Sequence, residues 1–195
     1  MNPERRHPLA ECEKCGLNND RCIFVPSYPA KTKPEVVVVG EAPGVQEARR
    51  GIPFVGPSGR LLDVVLRGHG FSRDRAFITN ACLCRPKDNA TPSARDVRAC
   101  SPRLEAEVRE ATSGGAPIVC LGNVAAGAIL DTTVGITTLR VGPARESHKF
   151  PGVRVVPTVH PAYVLRMPDA FPLFADDIGK VKRDADIRWE PPVFR

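Results

Sequence analysis

The sequence predicts an α/β fold in which four parallel strands are covered by helices, and three observations carry that reading. Four short apolar runs, Val36 to Val39, Ala76 to Thr79, Ile118 to Leu121 and Val153 to Val156, have the length and composition of strands. Helically spaced segments lie between them, and strand–helix alternation is the pattern of a parallel sheet with helical crossovers. The run Val36-Val37-Val38-Val39 is unbroken and β-branched, which suits a strand covered on both faces. In chain order, Met1 to Pro34 reads as a loop-rich N-terminal segment. Gly40, Pro43 and Gly44 end the first strand abruptly. Ser58 and Gly59 open a helix in which Leu61, Leu62, Val65 and Leu66 share a face. Ser93-Ala94-Arg95-Asp96 forms a capping box ahead of Val97, Cys100, Leu104 and Val108 at helical spacing. Gly122 to Leu130 predicts a third helix of small residues and Phe174 to Lys182 a fourth. Pro86 to Pro92 and Thr132 to Pro151 read as loops. One domain over 1–195 is expected, with an N-terminal segment 1–35, an α/β core 36–187 and a tail 188–195.

At 195 residues the chain can bury one full core, and its 20 prolines and 16 glycines mark turns rather than a disordered tract. No apolar run reaches membrane-spanning length, and the start, Met1-Asn2-Pro3-Glu4-Arg5-Arg6, lacks the apolar stretch of a secretory signal. The expectation is a soluble, cytoplasmic protein without membrane contact. The net charge of +6 permits a nucleic-acid partner without requiring one. Seven cysteines in a cytosolic chain point to ligands rather than disulfides. Cys12-Glu13-Lys14-Cys15 is a CxxC pair, and Cys84 and Cys100 frame a second pair. From spacing alone, zinc, an iron–sulfur cluster and unligated thiols all remain open. Cys120, inside an apolar run, reads as a buried small residue, and Cys22 and Cys82 as packed or spare thiols.

Ligands of an open parallel sheet bind beyond the carboxyl ends of its strands, which directs attention to Glu41, Asn80, Gly122 with Asn123, and His160. Asn80 alone suits a turn cap and His160 alone a structural imidazole. Their convergence with Phe54 is more informative. Gly51-Ile52-Pro53-Phe54-Val55-Gly56 holds an aromatic ring between prolines and glycines, and the helix start at Ser58 and Gly59 suits an anion. An aromatic face, a carboxamide and an imidazole together meet the needs of a planar base with adjacent carbonyls.

These residues also carry a resemblance. Gly40-Glu41-Ala42-Pro43-Gly44 with Glu47, Gly51 to Gly56 with Gly59, Thr79-Asn80, Cys84-Arg85-Pro86, and His160-Pro161-Ala162-Tyr163 with Leu165-Arg166 resemble the family 4 uracil-DNA glycosylases, in order, from Cys12 to about Asp177. The resemblance implies a three-layer sandwich with a central four-stranded parallel sheet between helices. It implies a [4Fe–4S] cluster on Cys12, Cys15, Cys84 and Cys100. It also implies hydrolysis of the bond between uracil and deoxyribose in single- or double-stranded DNA by a monomer that starts base excision repair, near the nucleoid and in reach of replication or repair proteins.

By the same resemblance, Phe54 stacks on the flipped base, Asn80 reads uracil N3–H and O4, and His160 donates to O2. Hydrogen bonds from neighbouring groups are expected to hold the Asn80 amide against rotation. Glu41 and the backbone at Ala42 support the attacking water, because Ala42 stands where family 1 enzymes carry an aspartate. Glu47 is expected at the uracil C5 edge, or else as a carboxylate serving a helix start. Ser58, Tyr163, Leu165 and Arg166 are expected at the DNA backbone and the vacated stack. The chain departs from the family at Leu83, where lysine is common, and after Asn89, where arginine is usual, so weaker non-specific DNA affinity is expected. Two rivals are a binder that traps uracil-DNA covalently, for which Arg85 to Ala99 lacks the histidine, and a non-catalytic iron–sulfur DNA-binding module.

Overall fold

A computed structural model describes residues 6–19 and 22–186. The β-branched run forms β1 (Val36–Gly40), and every residue of it is buried. It is followed by α1 (Val45–Arg50) and α2 (Pro57–Gly68), then β2 (Ala76–Asn80), α3 (Ala94–Thr112), β3 (Ile118–Leu121), α4 (Gly122–Leu130), α5 (Ile136–Leu139), β4 (Arg145–Ser147), β5 (Phe150–Thr158), α6 (Pro161–Arg166) and α7 (Phe171–Asp186). The sheet order is β2-β1-β3-β5-β4. The four strands read from the sequence are parallel neighbours, with Gly40 level with Asn80 and Cys120 level with Pro157.

The four-stranded expectation needs one correction, because β4 adds a fifth, antiparallel strand at the β5 edge, with a bulge between Arg145 and Ser147. The segment 132–151 is therefore not all loop. Its α5 and β4 are too short and too mixed in polarity to show a period. The last strand is also longer than Val153 to Val156, since Phe150 packs into the core from its start. Two further differences concern helices: α1 fills the turn after β1, and α7 extends both ways beyond Phe174 to Lys182. The predicted tail, 188–195, lies outside the described residues.

Alternate residues of β1 face opposite ways, so the sheet has two cores. Val36 and Val38 join Leu62, Leu66, Phe174 and Ile178 from α2 and α7 on one face. Val37 and Val39 join Leu104, Val108, Ala125 and Ile129 from α3 and α4 on the other. Each such side chain stabilises the fold by about 1.5–3 kcal/mol through burial, enough to set the three layers. The capping box of α3 forms as predicted, with Ser93 Oγ accepting from the Asp96 N–H and Asp96 returning the bond to Ser93.

The N-terminal segment runs along β2 rather than wandering. Tyr28 and Ile78 exchange backbone bonds, Val25 N–H donates to the Leu83 carbonyl, and Gly16 N–H donates to Asp96 at 2.7 Å. No helix among the described residues is long and apolar enough to cross a membrane.

Candidate active site

Strand β1 has β2 on one side and β3 on the other, so a crevice opens beyond the carboxyl ends of the strands, where ligands of open α/β sheets bind. A cleft of about 570 Å³ lies there, lined among others by Glu41, Ala42, Gly44, Glu47, Phe54, Ser58, Asn80, His160 and Arg166. Residues from four separate chain segments, expected together from the sequence, are therefore together in space.

Asn80 ends β2 and is 1 % exposed. Its Oδ1 and Nδ2 have no hydrogen-bond partner among the described residues. The expected hydrogen bonds from neighbouring groups to this amide are therefore not what orients it. Packing does so instead: a Cβ on Gly40 would overlap both Asn80 Oδ1 and the Phe54 ring, so only glycine lets the three meet. A buried amide without a partner costs roughly 1–3 kcal/mol, which the fold tolerates where a ligand supplies the missing bonds.

Phe54 is not the exposed platform that its glycine- and proline-rich surroundings suggest. It is 6 % exposed, and its backbone is left-handed at φ 53°, a costly conformation for an aromatic residue. Two ionic side chains hold this loop. Glu47 Oε1 accepts from the N–H groups of Val55 (2.9 Å) and Gly56 (2.7 Å). Arg73 donates to the carbonyls of Pro53 and Phe54 while pairing with Asp63 at 3.1 Å. The Phe54 carbonyl then packs so closely on α2 that any side chain at Gly59 would overlap it. Arg73 and Asp63 were not singled out in the sequence, where an isolated basic–acidic pair ten residues apart carries no signal.

His160 caps α6: its Nδ1 accepts from the Ala162 N–H at 3.1 Å, and Pro161 occupies the first helical position. That bond leaves the ring proton on Nε2. Burial, reinforced by the positive charge of Arg166 and opposed by Glu47, lowers the imidazole pKa to about 4. The ring is thus a neutral donor at physiological pH. Its centroid is 6.0 Å from that of Phe54 with the planes 32° apart. Stacking a flat ring between two planes needs about 7 Å, so the imidazole meets a ligand held on Phe54 at its edge. Gly122 packs against His160 Cβ, and the Asn123 side chain is engaged by the Ile136 N–H. Neither of those two lines the cleft.

Glu41 follows β1, and burial raises its pKa while a hydrogen bond from Thr91 works the other way. Thr91, with Pro86, Asn89 and Ala90, forms a wall of the cleft that the sequence marked only as a loop. Asp88 and Asn89 take left-handed φ values of 53° and 54°, a conformation their short polar side chains tolerate. Tyr163 and Leu165 are 43 % and 47 % exposed on α6 near Arg166, so Leu165 is not a core residue.

The cysteines meet at the edge of β2. Cys12, Cys15, Cys84 and Cys100 line a small apolar cavity together with Cys82. Cys100 accepts from the Cys82 thiol, and the Arg103 guanidinium also lies beside it; both hold its thiol below the ordinary range, toward the thiolate that iron binds. Burial pushes Cys15 up to about 11. No group of three or more His, Cys, Asp or Glu side chains among the described residues is arranged for a single metal ion. Four thiols from three segments around one apolar cavity nevertheless suit a cluster that offers one iron to each. Cys22 lies 2.7 Å from Cys84, and Cys120 is fully buried in β3, as its apolar neighbours suggested. Leu83 is 2 % exposed and lines the cysteine cavity.

A family model of the uracil DNA glycosylase superfamily matches residues 26–183. The chain is 36 % identical to the type-4 uracil-DNA glycosylase of Archaeoglobus fulgidus, over 89 % of its own length and 87 % of the relative's. It is 35 % identical to the type-4 enzyme of Pyrobaculum aerophilum, over 92 % of both chains. With that of Thermotoga maritima it shares 36 % identity over 81 % of its own length and 80 % of the relative's. The extent of these matches decides the relationship: this chain belongs to the uracil DNA glycosylase superfamily, on its type-4 branch.

Proposed function

We propose that this protein is a uracil-DNA glycosylase, a hydrolase that starts base excision repair by releasing uracil from DNA. The observation that carries the reading is the buried Asn80 amide beside Phe54, without a hydrogen-bond partner among the described residues, with the neutral His160 ring closing the same cleft. The target nucleotide leaves the stack at a cost of a few kcal/mol, and Phe54 replaces the lost stacking. Asn80 accepts from N3–H and donates to O4, a pattern that cytosine inverts.

As the bond from N1 to the sugar breaks, negative charge grows on O2 and the sugar becomes cation-like. The His160 Nε2–H, already neutral, donates to O2, and one such donor is worth about 3 to 4 kcal/mol of barrier. Water adds to the sugar carbon, uracil departs as the N1 anion, and the water's proton passes to Glu41. Its raised pKa makes that carboxylate a better base than a solvated one. Glu47 shapes the cleft by fixing the Phe54 loop, and its place in the cleft lining supports a position near the C5 edge of a bound base. Ser58, Tyr163, Leu165 and Arg166 meet the DNA strand, with the apolar pair of α6 filling the vacated stack.

Cys12, Cys15, Cys84 and Cys100 would hold a [4Fe–4S] cluster, which when bound supplies a cross-link between the N-terminal segment, the end of β2 and α3. The proposal includes action as a monomer in the cytoplasm, where the DNA lies. A uracil-bearing single-stranded oligonucleotide, incubated with the protein and then treated with alkali, tests the activity: strand breakage at the uracil is expected. An intact free strand would leave a non-catalytic module, and a stable shifted band a covalent trap.

A further inference from the structure

Arg103 of α3 is fully buried, and its guanidinium touches both functional regions. Nη2 donates to the carbonyls of Asn80 at 2.8 Å and Ala81 at 2.9 Å, and reaches Cys100 Sγ at 3.5 Å. Nη1 donates to Thr79 Oγ1 at 3.0 Å and pairs with Glu107 at 3.2 Å. Glu107 in turn bonds Ser27 and His7, and the His7 backbone bonds Cys12. One planar group therefore spans the last three residues before Cys82 and a cysteine of the cavity.

Resting on the proposed activity, we propose that Arg103 is a positioning residue that ties the base-reading Asn80 to the cysteine cavity, so that a cluster held there sharpens recognition of uracil in the cleft. The Asn80 side chain has no hydrogen bond of its own among the described residues, so its aim follows from the backbone that carries it and from packing. Arg103 holds that backbone through two carbonyls, and its third contact is to Cys100. Ligation would fix the Cys100 sulfur in place; without it the guanidinium keeps its bonds to Thr79, Glu107 and the two carbonyls but loses its fixed neighbour on the cysteine side. A lysine retains the charge and loses the fork, so it serves one end of the bridge but not both.

The tie can be read on the unaltered protein, because a base that holds the end of β2 through Asn80 would also slow release of the Cys100 sulfur on the other side of Arg103. Free uracil at saturation is expected to slow the loss of cluster absorbance in chelator by about fivefold or more, the low end of ordinary coupling, while cytosine has no effect. Arg103→Lys is expected to load the cluster, to bind undamaged single-stranded DNA as before, to bind free uracil at least about fivefold more weakly, and to lose the protection. Bleaching that ignores uracil in the unaltered protein overturns the proposal, as does an Arg103→Lys protein that binds uracil normally and is still protected. A chain that neither binds uracil nor cleaves uracil-DNA at all defeats the proposed activity instead, so the two failures are told apart.

Discussion

At the scale of the residue, the proposed function gives His160 a structural and a chemical task in one ring. Its Nδ1 is committed to the α6 N-terminus, and burial keeps it uncharged to about pH 4. A neutral donor matches a leaving group whose charge develops only in the transition state, because nothing is gained by binding the ground-state carbonyl more tightly. His160→Ala is expected to lower the single-turnover rate roughly 100- to 1000-fold. His160→Gln, which restores a neutral N–H, is expected to recover part of that loss. The pH dependence separates this ring from Glu41. An imidazole of ordinary pKa would give an acid limb near pH 6.5, whereas here the limb belonging to His160 falls near 4. The limb of Glu41 lies above the usual carboxylate value and is expected to vanish in Glu41→Gln. Stability has the corresponding sign. The unfolded imidazole takes up its proton near pH 6.5 and the folded one only near 4, so the contribution of His160 is complete above 6.5 and declines as the pH falls to 4.

At the scale of the element, the loop between α1 and α2 shows how a strained turn is kept. The left-handed Phe54 is an unfavourable local choice, and Glu47 from one side and Arg73 from the other bond four consecutive residues of its loop. Hydrogen bonds to charged groups contribute about 1.5–3 kcal/mol each, enough to outweigh the strain. Arg73→Ala is expected to lower stability by about 2 kcal/mol in urea titration and to raise KM for uracil-DNA more than it lowers kcat, since the ring it frees is the proposed platform for the base. Glu47→Ala is expected to do the same. If the latter variant also begins to release thymine, the carboxylate blocks the C5 edge as well; if thymine is still ignored, Glu47 acts only through the loop. The sequence made the existence of this loop legible, because glycines and prolines punctuate it, and it made Phe54, Asn80 and His160 legible as strand-end or turn residues. It hid the supports. Arg73, Arg103 and Thr91 reach the site across the fold, and only the packed structure makes such long-range partners neighbours.

At the scale of the whole molecule, the parallel core was legible because its strands are written as short, mostly apolar runs, two of them, Val36–Val39 and Ile118–Leu121, unbroken and fully buried, whereas β4 and α5 are held by their neighbours rather than by a pattern of their own. The N-terminal segment, which has no periodicity at all, is organised by a few anchors, and Asp96 is the most connected of these. One of its oxygens completes the α3 capping box with Ser93; the other accepts from Gly16 N–H at 2.7 Å, next to Cys15. Burial opposes its charge, but the bonds from Ser93 and Gly16 prevail and hold the carboxyl below the ordinary range. Its stabilising effect is therefore complete at neutral pH and is lost as the pH falls below the usual aspartate value. Two substitutions separate its roles. Ser93→Ala removes only the helix cap and is expected to cost about 1 kcal/mol without changing the rate at which chelator bleaches the protein. Asp96→Ala removes the cap and the tie to residues 15–16, so it is expected to cost more, to speed bleaching, and to raise hydrogen exchange in the N-terminal segment before the sheet opens. Equal bleaching rates in the two variants would mean that Asp96 serves the helix alone and that the cysteines hold their segment without it.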